Sequence, residues 1–447
     1  MKYMDYFLPL RGIMKKTWQM TYFFQSGGIM EIERDLYLKR LIDRMHNGLI
    51  KVITGMRRSG KSYLLFILFR RYLIQSGVPE NHILTMQLDR YENEEFRNPD
   101  ILLAWIRGQI KDSGDYYILL DEVQLLDRFE EVLNSLLYEK NLDVYVTGSN
   151  SKFLSKDVIT EFRGRGDEVH IFPLSFDEFM SVYDGDEYHG WADYMTWGGL
   201  PLVAGMKTEE QKMSYLTHLF EETYLKDILE RNKLDKKPEM EDLLHVLASS
   251  VGSLTNPSKI AATFQSQLHL PISFNTISKY IGFLKDAFLI SEARRFDVKG
   301  RKYIGTPLKY YFEDVGLRNA RLGFRQQDRP HLMENILYNE LRLRGFQVDV
   351  GNVKQRFMDK ETGSRLSRTL EIDFVANRGS RRYYIQSAWA IPSEGKMEQE
   401  KASLLVPDDS FKKIIIVNEI LRPFQDENGI LTLGLFDFLR HRDSLEW

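Results

Sequence analysis

Apolar and polar positions change period several times along this chain, and each change marks an element. Residues 49–54 (LIKVIT) form a short β-branched run. A glycine-bearing loop follows at once, and then YLLFILFRRYL, whose length and composition predict a helix. Residues 116–120 (YYILL) and 142–146 (LDVYV) repeat the buried-strand pattern, as a parallel sheet covered on both faces requires. Met30 opens a charged helix at 31–45. The residues before it show neither period, so 1–29 read as an extension and Met30 as a candidate translation start.

Between 179 and 235 the apolar spacing is helical, with Tyr215, Leu219, Phe220 and Tyr224 predicting a small lid, and residues 235–238 (DKKP) break it. Three helices are expected next, at 239–249, 257–264 and 274–287, the last with Ser273 as N-cap. Short strands at 288–290 and 309–312 follow. A helix at 333–343 then leads into strands at 347–350, 370–375 and 383–386.

Of the 447 residues, 43% are apolar and 28% charged, a soluble globular balance that predicts two to four domains. The 61 basic and 64 acidic side chains leave a net charge of -3, so whole-chain electrostatics do not announce a polyanionic partner. Cysteine is absent, which excludes disulfides and thiolate chemistry. No apolar run approaches the roughly 18–20 residues of a bilayer span. A cytoplasmic protein with no membrane association is expected.

The loop after the first strand reads Gly55-Met56-Arg57-Arg58-Ser59-Gly60-Lys61-Ser62, followed by Tyr63. Strand, GxxxxGKS, helix is the context of a Walker A phosphate loop: glycines let the backbone wrap an anion, and N–H groups at the helix start cradle it. Lys61 is expected on the terminal phosphates and Ser62 on Mg²⁺. Asp121 and Glu122 end the next apolar strand, where a Walker B pair would hold the metal and activate water. The third strand ends in Thr147-Gly148-Ser149-Asn150, a polar tip suited to sensing the γ-phosphate, with Asn150 the candidate. Arg163 and Arg165, in the glycine-rich stretch EFRGRG, read either as an arginine finger supplied in cis or in trans, or as a solvated basic loop.

These motifs, with ILLDEVQ, PLSFDEF and the turn Gly198-Gly199-Leu200-Pro201, resemble the prokaryotic AAA-type ATPases that carry a conserved carboxyl-terminal domain of unknown function. The resemblance runs from about residue 30 to 419. It implies an AAA-type α/β core with a parallel sheet, ATP as nucleotide, and a carboxyl-terminal half built from a winged helix and a restriction-nuclease-like α/β fold. The corresponding segments are an ATPase core at 30–178, a helical lid at 179–235, a winged helix at 236–325 and a nuclease-like domain at 326–447.

In the winged-helix segment, Asn275, Thr276 and Lys279 lie on the recognition-helix pattern, and Arg294, Arg295, Lys299, Arg301 and Lys302 cluster in the wing. Contact with DNA phosphates and a protein-interaction module remain equal readings. Restriction-type nucleases place an acid on one strand and acid-x-lysine on the next. Asp373 fits the first position, but Gln386 and Ala388 stand at the other two, which predicts a nuclease-like fold without nuclease activity. The leading functional expectation is a Mg²⁺-dependent ATPase whose hydrolysis drives a DNA- or protein-binding carboxyl module, in an oligomer if the arginines act in trans. An ATP-gated nuclease and a non-hydrolysing nucleotide binder are the alternatives.

Overall fold

Five short strands dominate the first half: β1 (Ile50–Thr54), β2 (Ile83–Gln87), β3 (Tyr116–Asp121), β4 (Leu142–Thr147) and β5 (Gly166–His170). In the computed structural model they form one parallel sheet in the order β2-β3-β4-β1-β5. The model describes residues 31–148, 164–234, 237–267, 272–358, 364–390 and 394–447, of which 33–447 pack as one compact unit.

The apolar runs are continuous because helices cover both faces of this sheet. Val52, Ile118, Leu120 and Val144 point to one side, against Leu102 and Ile106 of the helix Pro99–Gln109 and Leu133 of the helix Phe129–Leu136. Their alternate neighbours Ile53, Leu119 and Tyr145 point to the other, against Leu64, Leu65 and Phe69 of the helix that follows the phosphate loop. Each aliphatic side chain so buried contributes on the order of 2 kcal/mol from water exclusion. All five strands end at the same edge, so the loops after β1, β3 and β4 lie side by side. β4 separates β1 from β3 in the sheet, placing its tip between the two motif loops.

Helices Glu187–Trp197 and Glu209–His218, capped by Asp186 and Thr208, begin the lid region, which runs on to Arg231. The helical run ends at Arg231 and a new helix begins at Lys237, so Pro238 does not interrupt a helix. It is the second residue of the helix Lys237–Ser249, where its missing N–H costs nothing. The helices Pro257–Gln267 and Phe274–Asp286 follow, with the Ser273 hydroxyl accepting the Thr276 N–H as expected of an N-cap.

The expected short strands at 288–290 and 309–312 are much longer: β6 spans Ile290–Asp297 and β7 spans Lys302–Phe312. Thr255 and Leu308 exchange both backbone hydrogen bonds, at 2.8 and 2.7 Å, clipping this hairpin to the three helices. On its other side β6 runs parallel to β8 (Gln347–Met358), pairing Arg295 through Asp297 with Val350 through Asn352. The hairpin is therefore the edge of an eight-stranded mixed sheet, with β9 (Arg365–Arg378), β10 (Arg381–Ala388), β11 (Lys412–Val417), β12 (Phe424–Gln425) and β13 (Ile430–Gly434). The order is β12-β13-β11-β10-β9-β8-β6-β7, continuous across residue 325. A lone hairpin is marginal in water, and pairing with β8 satisfies its free edge. Among the described residues no helix is long and apolar enough to cross a membrane.

Candidate nucleotide site

The loop between β1 and its helix has an unusual backbone at three positions: Gly55 at φ 137°, Arg58 at φ 67° and Gly60 at φ 99°. Glycine is required at the first, where a Cβ would lie 2.2 Å from the Ile171 carbonyl oxygen. Arg58 adopts the left-handed region without that freedom, strain of order 1 kcal/mol that functional loops often carry. Gly60 is the N-cap of the helix that starts at Lys61, so the first N–H groups of that helix lack intrahelical acceptors and open into the loop.

Lys61 is 5% exposed and folds back to donate to the carbonyls of Gly55 (3.0 Å) and Met56 (2.9 Å). Burial pulls its ammonium down to about 8, against the attraction of Glu122 and Asp121. The Ser59 hydroxyl is buried without a hydrogen-bond partner. An under-compensated cation, a lone buried hydroxyl and a helix N-terminus in one loop fit a phosphate chain. Met56 is fully buried and anchors the loop, Arg58 is exposed, and Tyr63 is half-buried on the first helical turn.

Asp121, at the end of β3, accepts the Thr147 hydroxyl and is also bonded by Ser62. Burial raises its carboxyl above the usual range, while those two hydroxyls lower it. Ser62 and Asp121 thus meet as an expected Mg²⁺-holding pair: a hydroxyl and a carboxylate are the hard oxygen donors such an ion prefers. Glu122 has a left-handed backbone (φ 48°), held by its N–H donating to Thr147 Oγ1 at 3.0 Å. Its carboxylate accepts the Gln124 amide. Thr147 therefore positions both members of the acidic pair. Of the polar strand tip read from the sequence, Thr147 makes these contacts; Asn150 and Arg163 lie outside the described residues.

Three supports lie under the loop, and their partners were not legible in the sequence. Arg34, buried at the start of the helix Asp35–Ile42, donates to the carbonyls of Ser59 (3.0 Å) and Phe172 (2.8 Å) and pairs with Glu178 at 3.0 Å. Tyr224 of the lid donates to the Arg57 carbonyl at 2.7 Å, and Asp227 one turn on pairs with the Arg57 guanidinium at 3.0 Å. The Gly198-Gly199 turn packs so closely that a Cβ at Gly198 would meet Asp314 at 2.4 Å, and Gly199 N–H donates to Asp314 at 2.8 Å.

Arg165 stands apart from this constellation. Its carbonyl accepts the Ile50 N–H at the start of β1, and its guanidinium lies 5.6 Å from the Tyr138 ring centroid. The phosphate loop is a strand length away, roughly 16 Å.

In the second sheet the Gln386 side chain accepts the Asp373 N–H at 3.2 Å. Lys309, from β7, stands beside Asp373. It pairs with Glu334 of the helix Arg329–Leu343 at 2.8 Å and with Glu371 of β9 at 2.7 Å. Tyr311 donates to Glu334 at 2.5 Å. Burial pulls Lys309 down, but Glu334, Asp373 and Glu371 outweigh it and hold the ammonium above its ordinary value. Among the described residues no group of three or more His, Asp or Glu side chains is arranged to hold a metal ion. The wing is also less free than its sequence suggests: Arg294 pairs with Glu292 at 3.3 Å, and Arg295 donates to Asn352 at 2.8 Å.

An AAA-domain family model matches residues 47–180, and a model for a domain of unknown function matches 188–328. An uncharacterized protein of Haemophilus influenzae is 33% identical over 414 residues, covering 91% of this chain and 98% of its own length. An uncharacterized protein of Methanocaldococcus jannaschii is 26% identical, covering 83% and 80%. Among solved structures, the Aeropyrum pernix Orc1 protein in complex with DNA is matched over 68% of this chain and 94% of its own, at 13% identity and a TM-score of 0.28. For Cdc6p from Pyrobaculum aerophilum the figures are 70%, 97%, 10% and 0.29. At such scores the likeness carries nothing further.

Proposed function

The chain belongs to the family of AAA-domain proteins that carry a domain of unknown function after the ATPase core, and from that premise we propose that it is a Mg²⁺-dependent ATPase acting as a switch. The observation that carries this reading is the convergence of Lys61, Ser62, Asp121, Thr147 and Glu122 at the carboxyl ends of β1, β3 and β4. Magnesium would polarise the transferred phosphoryl group. Lys61 holds the terminal phosphates, Ser62 and Asp121 hold the metal, and Glu122 takes the proton of the attacking water. A pure binder has no use for the second acid, which favours turnover.

Coupling to the carboxyl half is supported by two adjacent residues after β7. Asp314 accepts from the Gly198-Gly199 turn, and Pro201, which closes that turn, lies beside Gly60 of the phosphate loop, 3.9 Å from where a Cβ would stand. Glu313 meets His170 at 3.3 Å, and the other ring nitrogen of His170 lies 3.1 Å from the hydroxyl of Thr54, the residue before the loop. Beside this contact a cleft of about 870 Å³, lined by Arg40, Arg44, His170, Tyr303, Glu313 and Arg342, gives the two halves room to move. The domain limits expected from the sequence stay part of this proposal, with the β6–β7 hairpin shared between the winged-helix and nuclease-like segments.

The test is a pair of variants. Lys61→Ala is expected to abolish ATP binding in calorimetric titration. Glu122→Gln is expected to bind ATP normally while phosphate release falls roughly 10²-fold or more, the scale of a lost general base. A Glu122→Gln protein as fast as wild type would move the base elsewhere.

A further inference from the structure

β8 and β9 continue well past the strands that flank them. β10 pairs with β9 only from Phe374 to Arg378, and β6 pairs with β8 only at Val350, Gly351 and Asn352. Beyond that point residues 354–358 and 365–369 form a two-stranded ribbon with no third strand among the described residues, each arm about 17 Å long. Nine of these ten residues are exposed, and Gln355 is half-buried. Such a ribbon does not form for the sake of a core.

Antiparallel register sorts its side chains. Lys354 faces Thr369, Arg356 faces Ser367 and Met358 faces Arg365, all on one side. That side carries three cations and two hydroxyls, and residues 353–358 and 364–370 contain no acid; the joining residues 359–363 (DKETG) lie outside the described residues. The opposite side pairs Gln355 with Arg368 and Phe357 with Leu366; Arg368 donates to Gln355 at 2.7 Å and lies 5.7 Å from the Phe357 ring centroid. Phe357, Met358 and Leu366 are 41%, 59% and 43% exposed.

The turn of the wing lies at the same edge. β6 is parallel to β8, so the chain leaves β6 into Lys299 and Arg301 where β8 leaves the sheet toward Lys354. Lys302 pairs with Asp297, and Asp297 pairs with Asn352, which puts Lys302 on the side of Lys354 and Arg356, with half-buried Asp297 between them. Fold and register gather charges that are some fifty residues apart in the chain.

We propose that this ribbon, with the adjoining turn, is a docking surface for double-stranded DNA. Charge complementarity carries the assignment: a ribbon whose arms present three cations and no acid on one side meets a phosphate backbone, and its hydroxyls add donors to phosphate oxygens. The B-form major groove, about 12 Å wide, admits a two-stranded ribbon, whereas that of A-form RNA is too narrow to enter. Exposed Phe357, Met358 and Leu366 give the ribbon apolar edges for sugar and base contact. The recognition helix of a winged helix is not required. This inference deepens the switch reading by naming the partner of its moving half, but DNA affinity is measured without nucleotide, so the failure of one leaves the other standing.

The experiment is fluorescence anisotropy of the full chain with a labelled 30-base-pair DNA duplex, at 50 and 200 mM KCl, without ATP. Wild type is expected to bind at the lower salt and to weaken steeply at the higher. Arg356→Glu/Arg365→Glu is expected to lose about tenfold or more at 50 mM and to flatten the log-affinity against log-salt slope by about two units. Lys299→Glu/Lys302→Glu, outside the ribbon's hydrogen-bonded arms, is expected to do the same, so the outcome does not hang on one fold-sensitive variant. The same charge change at Lys111→Glu/Lys140→Glu, on the ATPase core, and the variant Lys61→Ala are expected to bind as wild type. No binding by wild type at 50 mM overturns the proposal. So do unchanged slopes in both ribbon and turn variants, or equal affinity for an RNA duplex of the same sequence.

Discussion

Burial pulls the Lys61 ammonium down to about 8, and the sign of that shift makes a measurable demand on nucleotide binding. Above pH 8 the nucleotide-free protein holds Lys61 largely neutral, whereas bound phosphates favour the charged form. Binding must then draw a proton from solvent. ATP affinity is expected to fall as pH rises through 8, approaching tenfold per unit until the bound-state value is reached, with proton uptake seen as a buffer-dependent heat in titration calorimetry. Affinity flat from pH 7.5 to 9.5 would mean that Lys61 is charged throughout. Thr147 works at the same scale. Its hydroxyl touches both Asp121 and the backbone of Glu122, a role that no spacing rule assigns.

At the scale of elements, the β6–β7 hairpin matters most, since it belongs to the helices through Thr255 and to the eight-stranded sheet through β8. Lys309 fastens it from within by neutralising acids on a helix and a strand. Lys309→Met is expected to cost about 3 kcal/mol at neutral pH, because removing one partner leaves buried carboxylates uncompensated. The direction with pH follows from Asp373, whose carboxyl already stands well above its ordinary value through burial and Glu334. Without Lys309 the folded state holds protons that the unfolded state has released above about pH 4, so the deficit grows as pH rises and shrinks toward pH 4. Urea unfolding of both proteins at pH 5 and pH 8 checks it; an equal deficit at both values would mean lost packing rather than lost charge.

At the scale of the molecule, the sheet separates Arg165 from its own phosphate loop by a strand length. A finger role for it then requires a second copy of the chain. ATPase activity per subunit is expected to rise with protein concentration, and Arg165→Ala to lose that rise while still binding ATP. Mixing Arg165→Ala with Lys61→Ala subunits is expected to restore part of the activity, since each supplies what the other lacks. Specific activity that stays flat across concentrations at which sedimentation shows assembly would leave Arg165 as a surface cation stacked on Tyr138.

Sequence alone determined the elements whose causes are local. The strand-loop-helix around Lys61 and the apolar strand ending in Asp121 and Glu122 are written in contiguous residues, because phosphate binding needs a loop closed within a few positions and a buried parallel strand needs an unbroken apolar run. The helix cap at Ser273 is local for the same reason. Tertiary structure decided what depends on side chains meeting across long separations. Arg34 reaches the Ser59 carbonyl from 25 residues away. Lys309 joins Glu334, 25 residues on, and Glu371 of another strand, a meeting that its own strand's pattern does not predict. The grouping of Lys302 with Lys354 and Arg356 likewise exists only through the register of β6, β7 and β8. Periodicity records which face of an element is buried, but which elements become neighbours is settled by pairing of free strand edges and by compensation of buried charge, and neither leaves a mark at a fixed spacing in the chain.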